Sequence, residues 1–307
     1  MSNILIIKHG SLGDIVQISG ILKDIRNHFS ASSISILTSK PYQSLFEQCP
    51  YVDHVLLDER KARWNFFYLY GLVSKIVKQQ FSQVIDLQNS SRTEFYRKYL
   101  FNVNQWSSSY TILQPGETKE AFDQDGVLER FQVQLQRSSI STEHTLTPDF
   151  SWAVDKNFSN LPSKPYIFLS PFSSSKLPHK RWPHYQDLIQ IIKNKRPNIN
   201  IVVAPGPGEI ELCRELSITV LLDGDRPTNF SQLASIIKHA DVVIANDTGP
   251  AHMAAHLGCK GVVLFGAHTS PQKVSIETKN FKAITSENLE DLTASSVWGC
   301  IEPLLKN

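Results

Sequence analysis

The stretch DVVIANDTGPAHMAAHLG, residues 241–258, joins a short apolar run to a tight turn and a small-residue helical pattern. The apolar run predicts a buried strand that ends at Asn246. Residues 247–249 predict the turn, and Pro250 suits the first helical turn because that position does not need its N–H group. A strand, a turn and a helix in immediate succession form the repeating unit of a parallel α/β sheet.

The start of this helix is a candidate anion-binding site. Its free N–H groups and its dipole would attract a diphosphate, and Gly249 lacks the Cβ that would keep phosphate oxygens from the backbone. Asp247 or Thr248 can cap the helix. A well-capped turn needs no ligand to explain it, but His252 on the first helical turn could reach the same anion and favours the binding site.

The same alternation extends outward through both halves of the chain. Strands are predicted at residues 3–7, 33–37, 54–57, 83–87, 166–169, 200–204, 219–222 and 261–265. Helices are predicted at residues 42–48, 65–78, 185–193, 209–216, 230–239 and within 287–305, and a helical pattern joins Ile15, Ile18, Leu22 and Ile25. We therefore predict an α/β protein with two doubly wound domains, residues 1–160 and 161–307, and a ligand site in the cleft between them. Residues 102–160 show no clear period.

The composition is that of a globular protein with no obvious special partner. A length of 307 residues fits two domains, and a net charge of +2 gives no reason to expect a nucleic-acid partner. The sequence has no apolar run of membrane-spanning length and no signal-peptide pattern at its start. The four cysteines are scattered, so we expect neither zinc nor disulfides, and a cytoplasmic location.

A second strand-to-helix turn lies in residues 6–14, IIKHGSLGD. Gly10, Ser11 and Gly13 would bring the backbone close to a ligand. Asp14 at the start of the following helix can simply satisfy the helix dipole, or it can serve as a general base. The stretch matches neither the dinucleotide fingerprint nor a phosphate-binding Walker loop.

Two further turns carry polar side chains after predicted strands. In the first, the hydroxyls of Ser173 and Ser174 can hold phosphate oxygens and Lys180 can place an ammonium on a leaving diphosphate; a polar surface loop is the alternative. In the second, PGPGE at residues 205–209, Glu209 can accept hydrogen bonds from ribose hydroxyls or can be a favourable first-turn acid.

Other polar clusters give weaker signals. His252 and His256 stand four residues apart on a helix but lack the glutamate of a zinc protease motif, so no metal is expected. The basic residues near 60–63 adjoin the aromatic residues 64–68. Such a cluster is usually a solvated face, but beside aromatics it can rest on an anionic membrane or hold an acidic acceptor.

Three motifs together resemble glycosyltransferase family 9, the ADP-heptose:lipopolysaccharide heptosyltransferases and their relatives. They are Lys8-x-x-Ser11-x-Gly13-Asp14, Lys180-Arg-Trp-Pro183 and Asp247-Thr248-Gly249-x-x-His252-x-Ala254-Ala255. The resemblance spans residues 1–266. It implies a GT-B architecture with two Rossmann-like domains facing a central cleft, the acceptor on the N-terminal domain and the donor on the C-terminal domain. It also implies an inverting, metal-independent transfer.

The resemblance also implies roles for individual residues. Asp14 is similar to the family's catalytic base, Lys180 to the lysine that contacts donor phosphate and sugar, and Glu209 to the ribose-binding acid. Residues 247–249 with His252 are similar to its donor-binding turn. Ala251 departs from the pattern, since the family often has a larger apolar residue there.

We therefore expect transfer of heptose from ADP-heptose to a lipopolysaccharide core acceptor in a Gram-negative bacterium. The expected partners are the nucleotide-sugar and a glycolipid at the inner membrane face, with no bound cofactor. The alternatives are a nucleotide-sugar epimerase or hydrolase on the same fold, which should need several acid or base groups around the sugar, and a catalytically silent sugar-nucleotide-binding protein.

Overall fold

The computed structural model describes residues 2–305, and the chain divides into two compact units, Met1–Pro148 and Asp149–Asn307. The division precedes the predicted boundary after residue 160, because the intervening residues pack on the second unit. The Phe150 N–H donates to the His256 carbonyl at 3.0 Å, and the Ser235 hydroxyl donates to the Asp155 carbonyl at 2.9 Å. The stretch just before residue 160 is therefore part of the second unit.

The first unit is built on a five-stranded parallel sheet. Its strands are β1 (Asn3–Ile7), β2 (Ser33–Thr38), β3 (His54–Leu57), β4 (Gln83–Asp86) and β5 (Gln105–Ser107). Its helices are α1 (Leu12–Gln17), α2 (Ser19–His28), α3 (Gln43–Glu47), α4 (Phe66–Lys78), α5 (Ser91–Tyr99), α6 (Lys119–Phe122) and α7 (Val127–Arg137). The order β3-β2-β1-β4-β5 puts the topological switch point, where ligands bind in doubly wound folds, between β1 and β4.

The second unit is built on a six-stranded parallel sheet. Its strands are β6 (Tyr166–Ser170), β7 (Asn200–Val203), β8 (Thr219–Val220), β9 (Val242–Asn246), β10 (Gly261–Phe265) and β11 (Phe281–Thr285). Its helices are α8 (Tyr185–Lys195), α9 (Ile210–Glu215), α10 (Phe230–His239), α11 (Gly249–His256) and α12 (Ala294–Ile301). The order β11-β10-β9-β6-β7-β8 places its switch point between β6 and β9.

Continuous apolar runs account for the central strands. Every residue of β6, β9 and β10 is buried, as expected for strands that are covered on both faces. Around them Trp182, Leu188, Val297 and Trp298 form part of one apolar core. Within residues 2–305 we find no helix with the length and hydropathy needed to cross a membrane.

The first predicted helix is broken in two. Instead of one helix through Ile15 and Ile25, the chain forms α1 and α2, which meet at Ile18. The Ser19 hydroxyl donates to the Val16 carbonyl at 2.7 Å, and such side-chain bonds compete with regular helix hydrogen bonding. The break therefore coincides with a local polar contact that the apolar period does not reveal.

Three elements of the first unit lie in the stretch for which no period was recognised. Residues 102–160 contain β5, α6 and α7, and the apolar side chains Leu128, Phe131 and Leu135 of α7 are buried. The Gln134 amide donates to carbonyls that belong to two neighbouring strands, at 3.0 Å in β4 and 3.1 Å in β5. Helix α5 and strand β11 were also missed, because their apolar residues are few and interrupted by charge.

Candidate active site

The loop after β1 places Asp14 at the switch point of the first unit. Ser11 occupies the N-cap position of α1, and Asp14 is the third residue of that helix. Asp14 Oδ2 accepts the Ser11 N–H at 2.7 Å and the Ser11 hydroxyl at 2.8 Å, while the side chain stays 41% exposed. The carboxylate is thus oriented by its own helix and accessible to a substrate, as a general base must be.

A buried lysine lies behind this loop. Lys8 Nζ donates to the Leu87 carbonyl at 3.2 Å, and this bond joins the segments that follow β1 and β4. The same nitrogen lies 3.8 Å from Asp14 Oδ1. Burial lowers the pKa of Lys8, whereas the nearby Asp14 and Asp86 carboxylates oppose that shift. Burial also raises the pKa of Asp86 to about 6. Lys8 belongs to the first sequence motif, but no role was assigned to it from the sequence.

The small residues of this loop serve its packing. Gly10 has a φ of +133°, which glycine adopts readily, and a Cβ there would lie 2.6 Å from Tyr42 Cε2. Gly13 is buried within α1, and Ser11 is exposed. Of the three residues expected to bring the backbone to a ligand, Ser11 is the one at the surface.

Four adjacent strands carry the candidate residues of the second unit. In sheet order they are β10, β9, β6 and β7, and all are parallel. The segments that follow them contain His268, Asp247, Lys180 and Glu209, in the same order. Since the carboxyl ends of parallel strands share one edge of a sheet, the sheet order gathers residues that are distant in sequence.

Asp247 lies among three basic side chains, those of Lys180, His252 and His268. We call these four residues the Asp247 cluster. Its Oδ2 accepts from Lys180 Nζ at 2.5 Å and lies 2.9 Å from His268 Nε2, and its Oδ1 lies 3.9 Å from His252 Nε2. The Asp247 side chain is 3% exposed and the Lys180 side chain 19%. The Asp247 carboxylate is therefore buried below the more exposed Lys180 ammonium that it binds.

The electrostatics of the Asp247 cluster favour an anionic ligand. Burial by itself would raise the pKa of Asp247, but hydrogen bonds from Lys180 and His268 outweigh it and hold the pKa below its usual value. An ammonium group has three hydrogens. Within residues 2–305 Lys180 directs its bonds only to Asp247, at the carboxylate and, at 3.4 Å, the carbonyl. Asp247 thus orients the Lys180 ammonium, and a phosphate would meet that ammonium rather than the carboxylate.

The start of α11 offers fewer free groups than predicted. Thr248 is its N-cap residue, but the Thr248 hydroxyl donates to the Asn246 carbonyl at 3.2 Å, so the expected side-chain cap is absent. The N–H groups of Ala251 and His252 donate to the Thr248 carbonyl at 3.0 and 3.3 Å. Pro250 has no N–H group, so Gly249 supplies the helical N–H that remains available for an anion.

The serine-containing loop after β6 is held by hydrogen bonds between its own residues. The buried Ser173 hydroxyl donates to the Leu177 carbonyl at 2.7 Å and accepts from Arg181 Nε at 3.2 Å. That geometry gives Ser173 a role in shaping the loop that carries Lys180. Ser174 is exposed, and its hydroxyl accepts the Lys176 N–H at a long 3.4 Å. Of the two predicted phosphate ligands, Ser174 is the more accessible.

Glu209 sits at the N-cap position of α9, one residue before the predicted first turn. Its Oε2 accepts the Gly206 N–H at 2.8 Å, which closes the turn after β7. Because a carboxylate has two oxygens, this bond leaves Oε1 for another donor. Glu209 is half-buried, so a ribose hydroxyl could reach it.

His268 was missed as a site residue from the sequence. It follows shortly after a buried strand, as Asp247 does. That position was the available signal. His256, by contrast, is buried, and burial lowers its pKa to about 3, so it is neutral near pH 7. In the part of the chain that the structure describes, no group of three His, Cys, Asp or Glu side chains is arranged to hold a metal ion.

Comparison with known proteins identifies similar chains of the same fold. The chain is 23% identical over 278 residues to a putative glycosyltransferase of Haemophilus influenzae, with 83% of this chain and 80% of that protein covered. It is 21% identical over 285 residues to the lipopolysaccharide core heptosyltransferase OpsX of the same organism, with 87% and 79% covered. The Escherichia coli heptosyltransferase WaaC, solved with ADP-2-deoxy-2-fluoro heptose, superposes with a TM-score of 0.78 at 19% identity, covering 99% of this chain and 100% of that one.

These comparisons confirm the predicted α/β class and GT-B fold. The sequence model described as glycosyltransferase family 9 (heptosyltransferase) matches residues 108–299, which is more than half of the chain. The match extends past the last residue of the motif resemblance and takes in part of the stretch for which no period was recognised. The chain therefore belongs to glycosyltransferase family 9.

Proposed function

We propose that this glycosyltransferase moves a heptose from ADP-heptose to a lipopolysaccharide core acceptor, with inversion and without a metal ion. The observation that carries the proposal is the pair of switch-point sites, a carboxylate in one unit and a cationic cluster in the other. The names of similar proteins support the substrates, since OpsX is a lipopolysaccharide core heptosyltransferase and WaaC was solved with an ADP-heptose analogue.

The reaction assigns Asp14 to the acceptor. An acceptor hydroxyl oxygen attacks the anomeric carbon of the heptose while Asp14 takes the hydroxyl proton. The bond from the anomeric carbon to the β-phosphate oxygen breaks, and ADP leaves with that electron pair. A single displacement of this kind inverts the anomeric centre. We assign the acceptor to the first unit because Asp14 and its loop belong to it.

The leaving diphosphate is assigned to the second unit. Lys180 supplies positive charge, His252 and His268 supply ring nitrogens, and Gly249 supplies a backbone N–H at the start of α11. Ser174 adds an accessible hydroxyl, and Glu209 would accept from the ribose. Cations that are already oriented by a buried carboxylate need little reorganisation when charge develops on the leaving group.

Two other functions predict different products. An epimerase or hydrolase on this fold would alter or release the sugar without an acceptor, and a silent binding protein would retain the donor unchanged.

A Gram-negative cytoplasm, at the inner membrane face, is the setting that fits the proposed donor and acceptor.

The test is an acceptor-dependent assay with a donor panel. Purified protein is incubated with ADP-heptose, or with UDP-, GDP- or CMP-linked sugars, with and without a delipidated core oligosaccharide. We expect ADP and a heptosylated product only when acceptor is present, with unchanged rates in excess EDTA and an inverted linkage by NMR. Sugar release without acceptor, or activity lost in EDTA and restored by magnesium or manganese, would contradict the proposal.

A further inference from the structure

Helix α4 carries two apolar faces, and only one of them is covered by the protein. Its inner face consists of three buried side chains, Leu69, Leu72 and Ile76. On the other side Phe66 is 77% exposed and Phe67 is 94% exposed. A surface helix normally has one apolar face and one polar face, so the second apolar face needs an explanation.

The exposed apolar side chains lie on one side of the helix. At about 100° per residue, Phe66, Tyr70 and Val77 fall within about 40° of one another around the helix, and Phe67 lies beside them. Tyr70 and Trp64, which just precedes the helix, are each 78% exposed. We call Trp64, Phe66, Phe67, Tyr70 and Val77 the α4 outer face.

Positive charge flanks the α4 outer face. Residues 59–80 contain five basic side chains and a single acidic one, Glu59, which pairs with Lys61 at 2.6 Å. Lys75 and Lys78 are exposed in the last turns of the helix, and Arg63 is exposed just before it. An aromatic strip bordered by lysine and arginine has the chemistry of a surface that meets anionic lipid headgroups.

The segment that leads into α4 is firmly anchored. The buried Asp58 carboxylate accepts the Tyr96 hydroxyl at 2.7 Å and the Arg60 N–H at 2.7 Å, and it also bonds to the Tyr68 hydroxyl. Arg92 donates to the Lys61 carbonyl at 2.8 Å. These bonds hold the segment in place, so the aromatic side chains stay outside the core without any partner to bury them.

We propose that the α4 outer face docks the protein on an anionic lipid bilayer, with its aromatic rings in the headgroup region and the flanking lysines near lipid phosphates. Tryptophan and tyrosine favour that region, and each nearby lysine or arginine adds attraction to anionic lipid. The proposal deepens the proposed function in one respect, because a glycolipid acceptor would lie in the same bilayer. A soluble acidic acceptor would explain the basic side chains but not four exposed aromatic ones.

Vesicle binding by the full chain tests the proposal. Wild type should sediment with vesicles of phosphatidylethanolamine and phosphatidylglycerol, and F66S/F67S should partition about tenfold less strongly, or weaker still. The exposed positions predict an unchanged melting temperature for this variant. L212S, at an exposed apolar position of the second unit, is the matched control and should bind as wild type does.

A charge series separates headgroup attraction from simple apolar adhesion. K75Q/K78Q should weaken binding to the anionic vesicles about tenfold or more and should not change binding to pure phosphatidylcholine. K279Q/K282Q, which removes two exposed lysines of the second unit, is the matched control. Equal binding by all of these variants, or no vesicle binding by wild type, overturns the proposal.

Two readouts keep this proposal separate from the proposed function and from self-association. With a delipidated acceptor F66S/F67S should turn over as fast as wild type. Absent turnover in both, with vesicle binding intact, contradicts the proposed function and leaves the bilayer surface standing. A wild-type dimer that F66S/F67S abolishes, without vesicle binding, would identify a second copy of the chain as the occupant and overturn the proposal.

Discussion

The switch points of the two sheets hold the same pair of residue types with opposite exposure. In the first unit Lys8 is 4% exposed and Asp14 is 41% exposed. In the second unit Lys180 is 19% exposed and Asp247 is 3% exposed. The more exposed member of the pair is therefore the acid in the first unit and the base in the second.

The difference follows from which partner is buried. Lys8 is buried behind its loop, so the accessible group is a carboxylate that can receive a proton. Asp247 is buried beneath its loop, so the more accessible member of the pair is the Lys180 ammonium, which can meet a diphosphate. The fold alone does not decide this assignment, since both sheets share it; a few side chains at each switch point do.

The largest expected effect is on turnover, from Asp14→Asn. The amide can still accept the Ser11 N–H but cannot take a proton, so we expect kcat to fall by about two to four orders of magnitude. ADP affinity and melting temperature should stay close to wild type. Steady-state kinetics, ADP titration and a thermal melt measure the three quantities.

Asp187→Asn is the control for that variant, because Asp187 is an exposed acid in the first turn of α8. It should leave kcat unchanged. Equal turnover by Asp14→Asn and wild type would remove Asp14 as the base. A variant that fails to fold would instead indicate that its capping contact dominates.

The next effect is on the pH dependence of stability. The contribution of Asp86 in the first unit falls as the pH rises, whereas that of Asp247 in the second unit falls as the pH drops. Asp86 has a folded pKa of about 6 against about 3.9 unfolded, so its contribution to stability is full below pH 4 and is lost as the pH rises to 6. Asp86→Asn should therefore gain up to roughly 3 kcal/mol relative to wild type between pH 4 and pH 7. Denaturant unfolding of both proteins across that range gives the difference.

Asp247 should behave in the reverse way. Its folded pKa is lowered, so its contribution is present above the unfolded pKa of about 3.9 and is lost as the pH falls through the folded pKa. Asp247→Asn should thus be less stable than wild type near neutral pH, with the gap closing in acid. Profiles of the same sign for Asp86→Asn and Asp247→Asn would contradict the comparison.

A smaller effect is expected on donor affinity from the cationic side chains. Lys180→Ala, His252→Ala and His268→Ala should each weaken ADP binding by about 1–3 kcal/mol, because each removes a polar or charge-assisted contact to the diphosphate. Calorimetric titration measures the loss. Lys176→Ala, an exposed lysine of the same loop, is the control and should bind ADP as wild type does. If all four variants bind equally, the second unit is not the donor unit.

The smallest and most selective effect belongs to Glu209→Ala. Its proposed partner is the ribose, so ADP binding should weaken by about 1 kcal/mol while pyrophosphate binding stays unchanged. Titration of both ligands into the variant and wild type tests this contrast. Equal losses for both ligands would mean that Glu209 acts only by closing the turn at Gly206.

The sequence by itself determined the class of fold and the positions in it of most candidate site residues. Continuous apolar runs such as 242–245 and 261–265 are buried on both faces, and such burial is typical of a parallel sheet with helices on both sides. Residues that follow such strands must lie at the carboxyl edge, so Asp14, Lys180 and Asp247 could be located from local pattern and motif alone.

Only the tertiary structure decided which groups meet and which remain accessible. Lys180 and Asp247 are 67 residues apart, and Gln134 reaches Asp86 across 48 residues. No local pattern records such a contact, because it depends on strand order. The contact between His268 and Asp247 depends on strand order in the same way. The Ser173 hydroxyl, by contrast, bonds within its own loop, and that loop conformation leaves no periodic signal in the sequence. Periodicity reports which side of an element is buried, whereas burial of one partner in an ion pair depends on the side chains that pack around it.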